Sequence, residues 1–148
     1  MRGNIRSYVQ VDTQASLADA DPHKVIEVMM TAALDHIGKA KGAIERRDIP
    51  TKARSINRAV AIVSGLQGAL DHSVNPQFAR SMDDVYSYMK TRLIEASASM
   101  DVAVLDELYQ LFYPILDAWR SIPDAAKQEA ISRRKELGEP GKYGASAG

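Results

Sequence analysis

The chain contains no cysteine, which excludes disulfide bonds, thiolate nucleophiles and thiolate metal sites. The absence of cysteine fits the reducing cytoplasm. Long apolar runs are also missing: none approaches the ~18–20 residues of a transmembrane helix. The first ten residues are polar and are not followed by the apolar core of a secretory signal. The sequence therefore predicts a cytoplasmic protein with no membrane insertion.

The chain has no excess of charge of either sign. Its 148 residues contain 19 Lys and Arg against 19 Asp and Glu, so the formal net charge is +0. This balance argues against a nucleic-acid partner. The length suits one domain with a single hydrophobic core.

Motifs for catalysis and for cofactors are absent as well. No glutamate starts the Glu-x-x-His motif of di-iron bundles, and the sequence has neither a phosphate-binding loop nor a Gly-x-Ser-x-Gly elbow. His23, His36 and His72 lack the spacing that would gather them around one metal. We predict no catalytic residues, no metal site, no cofactor and no enzymatic activity.

Prolines and capping residues divide the chain into four helical segments. Asp21-Pro22 and Asn75-Pro76 each place a capping side chain before a proline in the first turn. Asp48-Ile49-Pro50 separates the first segment from the second, which starts near Pro50, and Asp101 caps the fourth. Runs with the alternation of a β-strand are absent. Four segments joined by short turns predict an all-α fold, an antiparallel four-helix bundle over residues 21–122.

Each segment carries an apolar stripe at helical spacing, which predicts its buried face. The stripes are Ile26, Met29, Ala33, Ile37, Ala40 and Ile44; Ile56, Ala59, Val63, Leu66 and Leu70; Phe78, Met82, Val85, Met89, Leu93 and Ala96; and Leu105, Leu108, Phe112, Ile115, Trp119 and Ile122. Pro114 lies inside the fourth stripe, and we expect it to kink one helix rather than divide it in two.

Three further segments flank the predicted bundle. Residues 1–20 are polar with scattered apolar residues, and we expect them to pack on the bundle or cap a groove because they could not fold alone. Residues 123–138 are predicted to form a short charged C-terminal helix. Residues 139–148 are rich in glycine, alanine and serine and are expected to be disordered.

The fourth helix has more apolar residues than a peripheral bundle helix needs. Val104, Tyr109, Leu111, Tyr113 and Leu116 lie off its stripe. Such residues pack on the flanking segments or bind a partner. Trp119 has the same two interpretations, the core or a groove wall. Tyr86 and Tyr88 cannot share a helix face, so one should point inward and the other outward.

The candidate partner-binding residues come from the N-terminal segment and from the second, third and fourth helices. They are Ile5, Tyr8, Val11, Ile62, Leu66, Tyr86, Ile94, Leu108, Leu111, Ile115 and Trp119. We hypothesise that Ile5, Tyr8 and Val11 cover a groove that a client uncovers.

Several segments, taken in order, resemble the flagellar export chaperone family FliS, which escorts flagellin. The resemblance covers about residues 5–122, and its order and spacing are more specific than any single motif. The family usually has Tyr-Asp-Gly where Met30-Thr31-Ala32 stands here. The similar segments are Tyr8-Val9-Gln10, Asp21-Pro22 with Val25 to Leu34, Arg58-Ala59 with Leu70-Asp71, Val85-Tyr86-Ser87-Tyr88-Met89 with Arg92 to Ala96, and Asp101, Leu105 and Trp119.

This resemblance implies a cytoplasmic chaperone without ATPase activity. It would bind the C-terminal segment of flagellin, prevent premature polymerisation and deliver the client to the flagellar type III export apparatus, with an export-gate membrane protein as second partner. The client would form helices against apolar grooves. A homodimer is a further candidate assembly.

Two alternatives remain at this point. One is a helical-bundle adaptor for another helical client. The other is a histidine phosphotransfer domain around His36 and Lys39, although Gly38 stands where that pattern has leucine.

Overall fold

The computed structural model describes residues 21–123, which form four helices and no strand. The helices are α1 (Pro22–Glu45), α2 (Ile49–Gly68), α3 (Pro76–Ser99) and α4 (Val102–Arg120). This confirms the predicted all-α fold. None of these helices is long and apolar enough to cross a membrane. The predictions for residues 1–20, with Ile5, Tyr8 and Val11, and for residues 124–148 lie outside the described residues.

A polar side chain caps the start of each helix. Each cap oxygen accepts a hydrogen bond from a first-turn backbone N–H, which otherwise has no helical partner. The first three caps are followed by a proline in the first turn, where the missing N–H costs nothing. The pairs are Asp21 with Lys24 at 2.8 Å, Asp48 with Thr51 at 3.2 Å, Asn75 with Phe78 at 3.1 Å and Asp101 with Ala103 at 2.9 Å. The predicted helix starts are confirmed.

Contacts between helix ends establish the antiparallel order of α2 and α3. Near the start of α2, the Lys52 ammonium donates to the Ser97 carbonyl at the end of α3 over 2.8 Å. At the other end of α2, the Gln67 amide donates to the Asp83 carboxylate over 2.8 Å.

Helices α1 and α4 pair antiparallel in the same way. Lys41, late in α1, lies 2.8 Å from Asp106, early in α4. The Trp119 indole, late in α4, donates to the His23 carbonyl over 2.9 Å. The helices therefore form a ring in which α1 packs on α2 and α4, and α3 packs on α2 and α4.

The core runs along the axis of this ring. Ile37, Leu93, Leu108 and Phe112 are buried, and the Tyr86 ring meets the Phe112 ring edge to face with centroids 6.1 Å apart. One tyrosine inward and one outward was predicted, and the structure shows Tyr86 buried and Tyr88 exposed.

Two parts of the predicted stripes are wrong. Phe78 is 49% exposed, because it lies in the first turn of α3, at the open end of the bundle. Val104 and Leu116 are buried although they were placed off the stripe of α4. A row at steps of four, from Val104 through Leu108 and Phe112 to Leu116, belongs to the core, so the buried face of α4 is wider than the predicted stripe.

Pro114 does not divide α4, which continues from Val102 to Arg120. Proline has no N–H, so the Gln110 carbonyl loses its intrahelical donor. Both residues are exposed, and water can satisfy that carbonyl. One helix rather than two was predicted.

Candidate functional site

Large apolar side chains are exposed mainly on α3 and α4. Helix α1 exposes none of them, and α2 exposes only its first residue, Ile49. Because the exposed apolar side chains are concentrated on α3 and α4, the surface of these two helices is a candidate binding surface. The exposed large apolar residues among residues 21–123 are Ile49, Val74, Phe78, Tyr88, Ile94, Tyr109, Leu111 and Tyr113.

Helix α4 and helix α1 enclose a shallow cavity of about 260 Å³. We call this region the tyrosine groove. A Cβ atom added at Gly38 would meet no atom within 4 Å, so the space above this glycine is open. Tyr109 lines the cavity and stacks on Tyr113, with ring centroids 6.0 Å apart and planes 11° from parallel. The residues around the cavity are Ile37, Gly38, Lys41, Leu105, Asp106, Tyr109 and Gln110.

Polar contacts hold α1 against α4 on both sides of the tyrosine pair. At one side Lys41 pairs with Asp106, and this hydrogen bond raises the pKa of Lys41. At the other side the Arg120 guanidinium donates to the Thr31 hydroxyl over 3.2 Å. These exposed contacts add little stability. They lie on either side of the groove and join the two helices that line it.

Gln110 also lines the groove, and Pro114, four residues later, removes the usual i+4 donor to its carbonyl.

The opposite flank of α4 is tied to α3 by a polar cluster. The Tyr88 hydroxyl donates to one oxygen of Glu107 over 2.6 Å, and Arg92 donates to the other over 2.9 Å. Arg92 also donates to Glu95 over 2.7 Å. The hydrogen bond from Tyr88, followed by that from Arg92, lowers the pKa of Glu107. Leu111 follows Glu107 by one helical turn, which places it on the same flank.

The predicted partner-binding residues occupy different places in the bundle. Leu66, Tyr86 and Leu108 are buried in the core, and burial raises the pKa of the Tyr86 hydroxyl above its usual range. The partly buried residues packed against the core are Ile62, Ile115 and Trp119, and the exposed ones are Ile94 and Leu111.

The structure does not bring the accessible members of this set into one groove. Ile62 lies on the α2 flank that faces α1, because Gly65 one turn later approaches Met29 of α1. Ile94 follows Ser87 and Lys90 on the α3 flank that faces α2, where Gln67 of α2 reaches Ser87. Leu111 is on the α3 side of α4. Their binding of a partner stays a prediction.

Trp119 is half-buried and is tied to the start of α1. Its ring stacks on the His23 ring, with centroids 4.4 Å apart and planes 10° from parallel. Its indole N–H donates to the His23 carbonyl. One edge of Trp119 therefore holds α4 against α1, while the rest of its ring is partly exposed. Trp119 thus has features of both predicted roles, a core residue and a groove wall.

His36 is half-buried on the side of α1 that faces α2. Burial, followed by the charges of Lys39 and Arg58, lowers its pKa, and Asp35 opposes this shift. Within residues 21–123, no three His, Asp or Glu side chains are grouped as metal ligands.

The sequence patterns did not indicate the tyrosine groove. Tyr109 and Tyr113 were noted only as residues off the stripe. Their i, i+4 spacing predicts contact along one helix flank. That Gly38 of α1 stands opposite them depends on how α1 and α4 pair, which one sequence does not reveal.

Comparison with known proteins identifies the family. The family model described as "Flagellar protein FliS" matches residues 4–126. A relative from Pseudomonas aeruginosa, "Flagellar secretion chaperone FliSB", is 37% identical over 118 residues, which cover 80% of this chain and 94% of the relative. "Flagellar secretion chaperone FliS" of Salmonella typhimurium is 30% identical over 128 residues, 85% of this chain and 95% of that protein. The protein of the same description from Vibrio cholerae is 28% identical over 123 residues, 83% of this chain and 90% of the relative.

The match covers the four helices and supersedes the phosphotransfer interpretation of His36. The family consists of chaperones without enzymatic activity. The chain therefore belongs to the FliS family of flagellar secretion chaperones.

Proposed function

We propose that this protein is a cytoplasmic chaperone of flagellin. It binds the C-terminal segment of flagellin, prevents premature polymerisation and delivers the client to the flagellar type III export apparatus. Family membership supports this function. The single structural observation that carries it is the exposed apolar surface of α4, which nothing in residues 21–123 covers.

The tyrosine groove offers what a helical client segment needs. Two stacked rings present a rigid apolar wall, and aromatic anchors dominate many protein interfaces. The open space at Gly38 admits a client side chain close to the backbone of α1. A segment that is disordered alone would gain helical structure as it buries its apolar face here.

Leu111 and Ile94 extend the proposed client path beyond the groove. Both are exposed, by 37% and 60% respectively. They lie on different flanks of the bundle, so a client that contacts both must pass over more than one helix. Ile62, Ile115 and Trp119 expose less surface and would contribute only at the edges of this path. Leu66, Tyr86 and Leu108 support the path from beneath, because they lie in the core.

Residues 1–20 are proposed to cover the groove in the free protein. Ile5, Tyr8 and Val11 would pack on it until the client displaces them. Replacement Tyr8→Ala should then raise client affinity and increase protease cleavage of the N-terminal segment. If both stay unchanged, this part of the proposal is wrong.

Two further partners are proposed, one from the delivery step and one from the exposed apolar surface. One is a membrane protein of the export gate, which would receive the loaded chaperone. The other is a second copy of the chain, because an exposed apolar surface also suits a homodimer. Light scattering of the free and the loaded protein would separate these assemblies from a one-to-one complex.

The function is tested by calorimetric titration with the C-terminal segment of a flagellin from the same genome. We expect one-to-one binding, a large negative heat-capacity change and a gain of helical circular dichroism, which together indicate folding on an apolar surface. An N-terminal flagellin segment of equal length is the control. If the folded, monomeric protein does not bind the C-terminal segment, the flagellin assignment is wrong, and an adaptor for another helical client replaces it.

A further inference from the structure

One end of the bundle gathers the start of α1, the end of α2, the start of α3 and the end of α4. The contact between Trp119 and His23 and the contact between Gln67 and Asp83 both lie near this end. We call it the terminal end, because the described chain begins there at Asp21 and stops there at Pro123.

The terminal end exposes apolar side chains. Phe78 is 49% exposed and Val74 is 52% exposed. Leu70 and Ile26 are only partly buried against the core below them. Phe78 and Val74 lie four residues apart, and neighbouring exposed apolar side chains form a candidate surface for a covering element.

The charged side chains of the terminal end are mainly acidic. The carboxylates are those of Asp21, Glu27, Asp71, Asp83, Asp84 and Asp117. The cations of this end are Lys24, Arg80 and Arg120; Lys24 pairs with Glu27, and Arg120 is engaged with Thr31. The opposite end of the bundle carries Arg46, Arg47, Lys52 and Arg54 around the turn between α1 and α2. The terminal end therefore favours a basic partner.

The chain itself supplies a segment with a basic cluster that begins at this end. Residues 124–137 follow Pro123 and carry four Lys and Arg against three Asp and Glu, with three of the four basic residues adjacent in Arg133-Arg134-Lys135, between Ile131 and Leu137. The family model stops at residue 126, so most of this segment has no counterpart in the match.

The segment is long enough to reach Phe78. The stretch from Pro123 to Ile131 spans about 12 Å as a helix, at 1.5 Å per residue, and roughly 26–29 Å when extended, at ~3.3–3.6 Å per residue. Helix α3 packs directly on α4, and the axes of packed helices lie about 8–10 Å apart, so the predicted helical form already covers the distance between them.

We propose that residues 124–137 bind across the terminal end of their own bundle. Ile131 and Leu137 pack on Phe78 and Val74, and the basic cluster Arg133-Arg134-Lys135 lies against the acidic groups beside them. Residues 1–20 join the bundle at this end as well, but their two arginines, Arg2 and Arg6, are far along the chain from Asp21 and form no basic cluster. This contact is independent of the proposed function and needs no client.

Cysteine pairs test the contact in the full chain, which has no cysteine of its own. The test pair is Phe78→Cys with Ile131→Cys. The control pair is Ile94→Cys with Ile131→Cys, since Ile94 is exposed on the same helix roughly 24 Å further along at 1.5 Å per residue. Val74→Cys replaces Phe78→Cys if the latter variant does not fold.

We expect the test pair to form an intramolecular disulfide at least about tenfold faster than the control pair during mild oxidation at low protein concentration. Because Debye screening weakens charge contacts, the rate should fall several-fold between 50 and 500 mM salt. Adding Arg133→Glu and Arg134→Glu should slow it to a similar extent.

Three results would overturn the proposal. Equal rates for the two pairs would show that the segment does not select the terminal end. Intermolecular disulfides would identify a second copy as the occupant. Faster bonding of Phe78→Cys to Tyr8→Cys than to Ile131→Cys would identify residues 1–20 instead.

Discussion

The interface between α1 and α2 and the outer surface of α4 differ in how they treat apolar side chains: the first buries them, and the second exposes several. Ala33, Ala40 and Ala59 are fully buried, and these small side chains let α1 and α2 approach closely. At Gly65, an added Cβ would lie 2.9 Å from the terminal methyl of Met29 of α1. Apart from Ile49, these two helices keep their large apolar residues covered.

Helix α4 buries one face and exposes apolar groups on both flanks. Phe112 is buried, whereas its neighbours Leu111 and Tyr113 are 37% and 44% exposed. Exposed polar contacts join these flanks to α1 and α3, whereas the buried face of α4 packs on the core. The difference shows how one small bundle can pack a complete core and still keep an apolar surface open: small residues bring α1 and α2 together on one side, and the apolar flanks of α4 remain available on the other.

The largest effect should come from the core face of α4. Phe112→Ala removes a fully buried ring that contacts Tyr86, and we expect a loss of about 3–5 kcal/mol in the free energy of unfolding. The adjacent Leu111→Ala should cost less than about 1 kcal/mol, because Leu111 is exposed. Urea denaturation followed by circular dichroism measures both. Similar losses for the two variants would remove the distinction between the two faces of α4.

The close α1–α2 packing is tested by adding volume. Ala59→Leu places three extra carbons in a fully buried position and should cost about 1–3 kcal/mol, because the facing helix must move. Ala61→Leu on the exposed side of the same helix is the matched control, with an expected change within about 0.5 kcal/mol. A stable Ala59→Leu variant would indicate free volume between α1 and α2.

Trp119→Phe tests how α4 is held at the terminal end. Phenylalanine keeps an aromatic ring to stack on His23 but cannot donate to its carbonyl, so we expect a loss of about 1 kcal/mol. Trp119→Leu, which also removes the stacking, should lose more. If both variants match the wild-type unfolding midpoint, this contact does not hold α4.

The smallest effect concerns His36 beside the α1–α2 face. Burial and the charges of Lys39 and Arg58 lower its pKa in the folded state, with Asp35 opposing. The neutral imidazole is therefore favoured on folding, and its contribution is fully present above the unfolded pKa near 6.5. This contribution is lost as pH falls from about 6.5 through the folded pKa.

The wild type should therefore lose more stability between about pH 7 and pH 5.5 than His36→Gln does. Denaturation series at several pH values measure the two slopes, and His72→Gln, which removes an exposed histidine, provides the comparison. Parallel curves for wild type and His36→Gln would contradict the assignment.

The sequence predicted most of the fold because its signals are local. Asp21, Asp48, Asn75 and Asp101 each precede a helix start, and capping depends on neighbours within one turn. The core stripes follow from helical periodicity in the same way. Phe78 was predicted to be buried but is exposed, because periodicity shows which side of a helix faces the core and does not show where the core ends along the helix.

The candidate site was predicted only in outline. The surplus of apolar residues on α4 was visible in the sequence, and Leu111 is exposed as a binding residue must be. The tyrosine groove depends on Gly38 of α1 and Tyr109 of α4 lining the same cavity, and one sequence does not reveal how these two helices pair. Leu66 and Leu108 belong to the predicted buried stripes and lie in the core, as does Tyr86, which was not part of the stripe predicted for its helix.

The most direct test of client binding by the α4 surface is the affinity of the flagellin C-terminal segment for the variant Tyr109→Ala with Tyr113→Ala. We predict a loss of affinity of about 10–100-fold, as for truncation of aromatic anchors, with an unchanged circular dichroism spectrum. Ile49→Ala, which removes an exposed apolar side chain from the start of α2, should bind as the wild type does. Unchanged affinity of the double tyrosine variant, together with weakened binding by Ile49→Ala, would contradict the central claim that the open α4 surface binds the client.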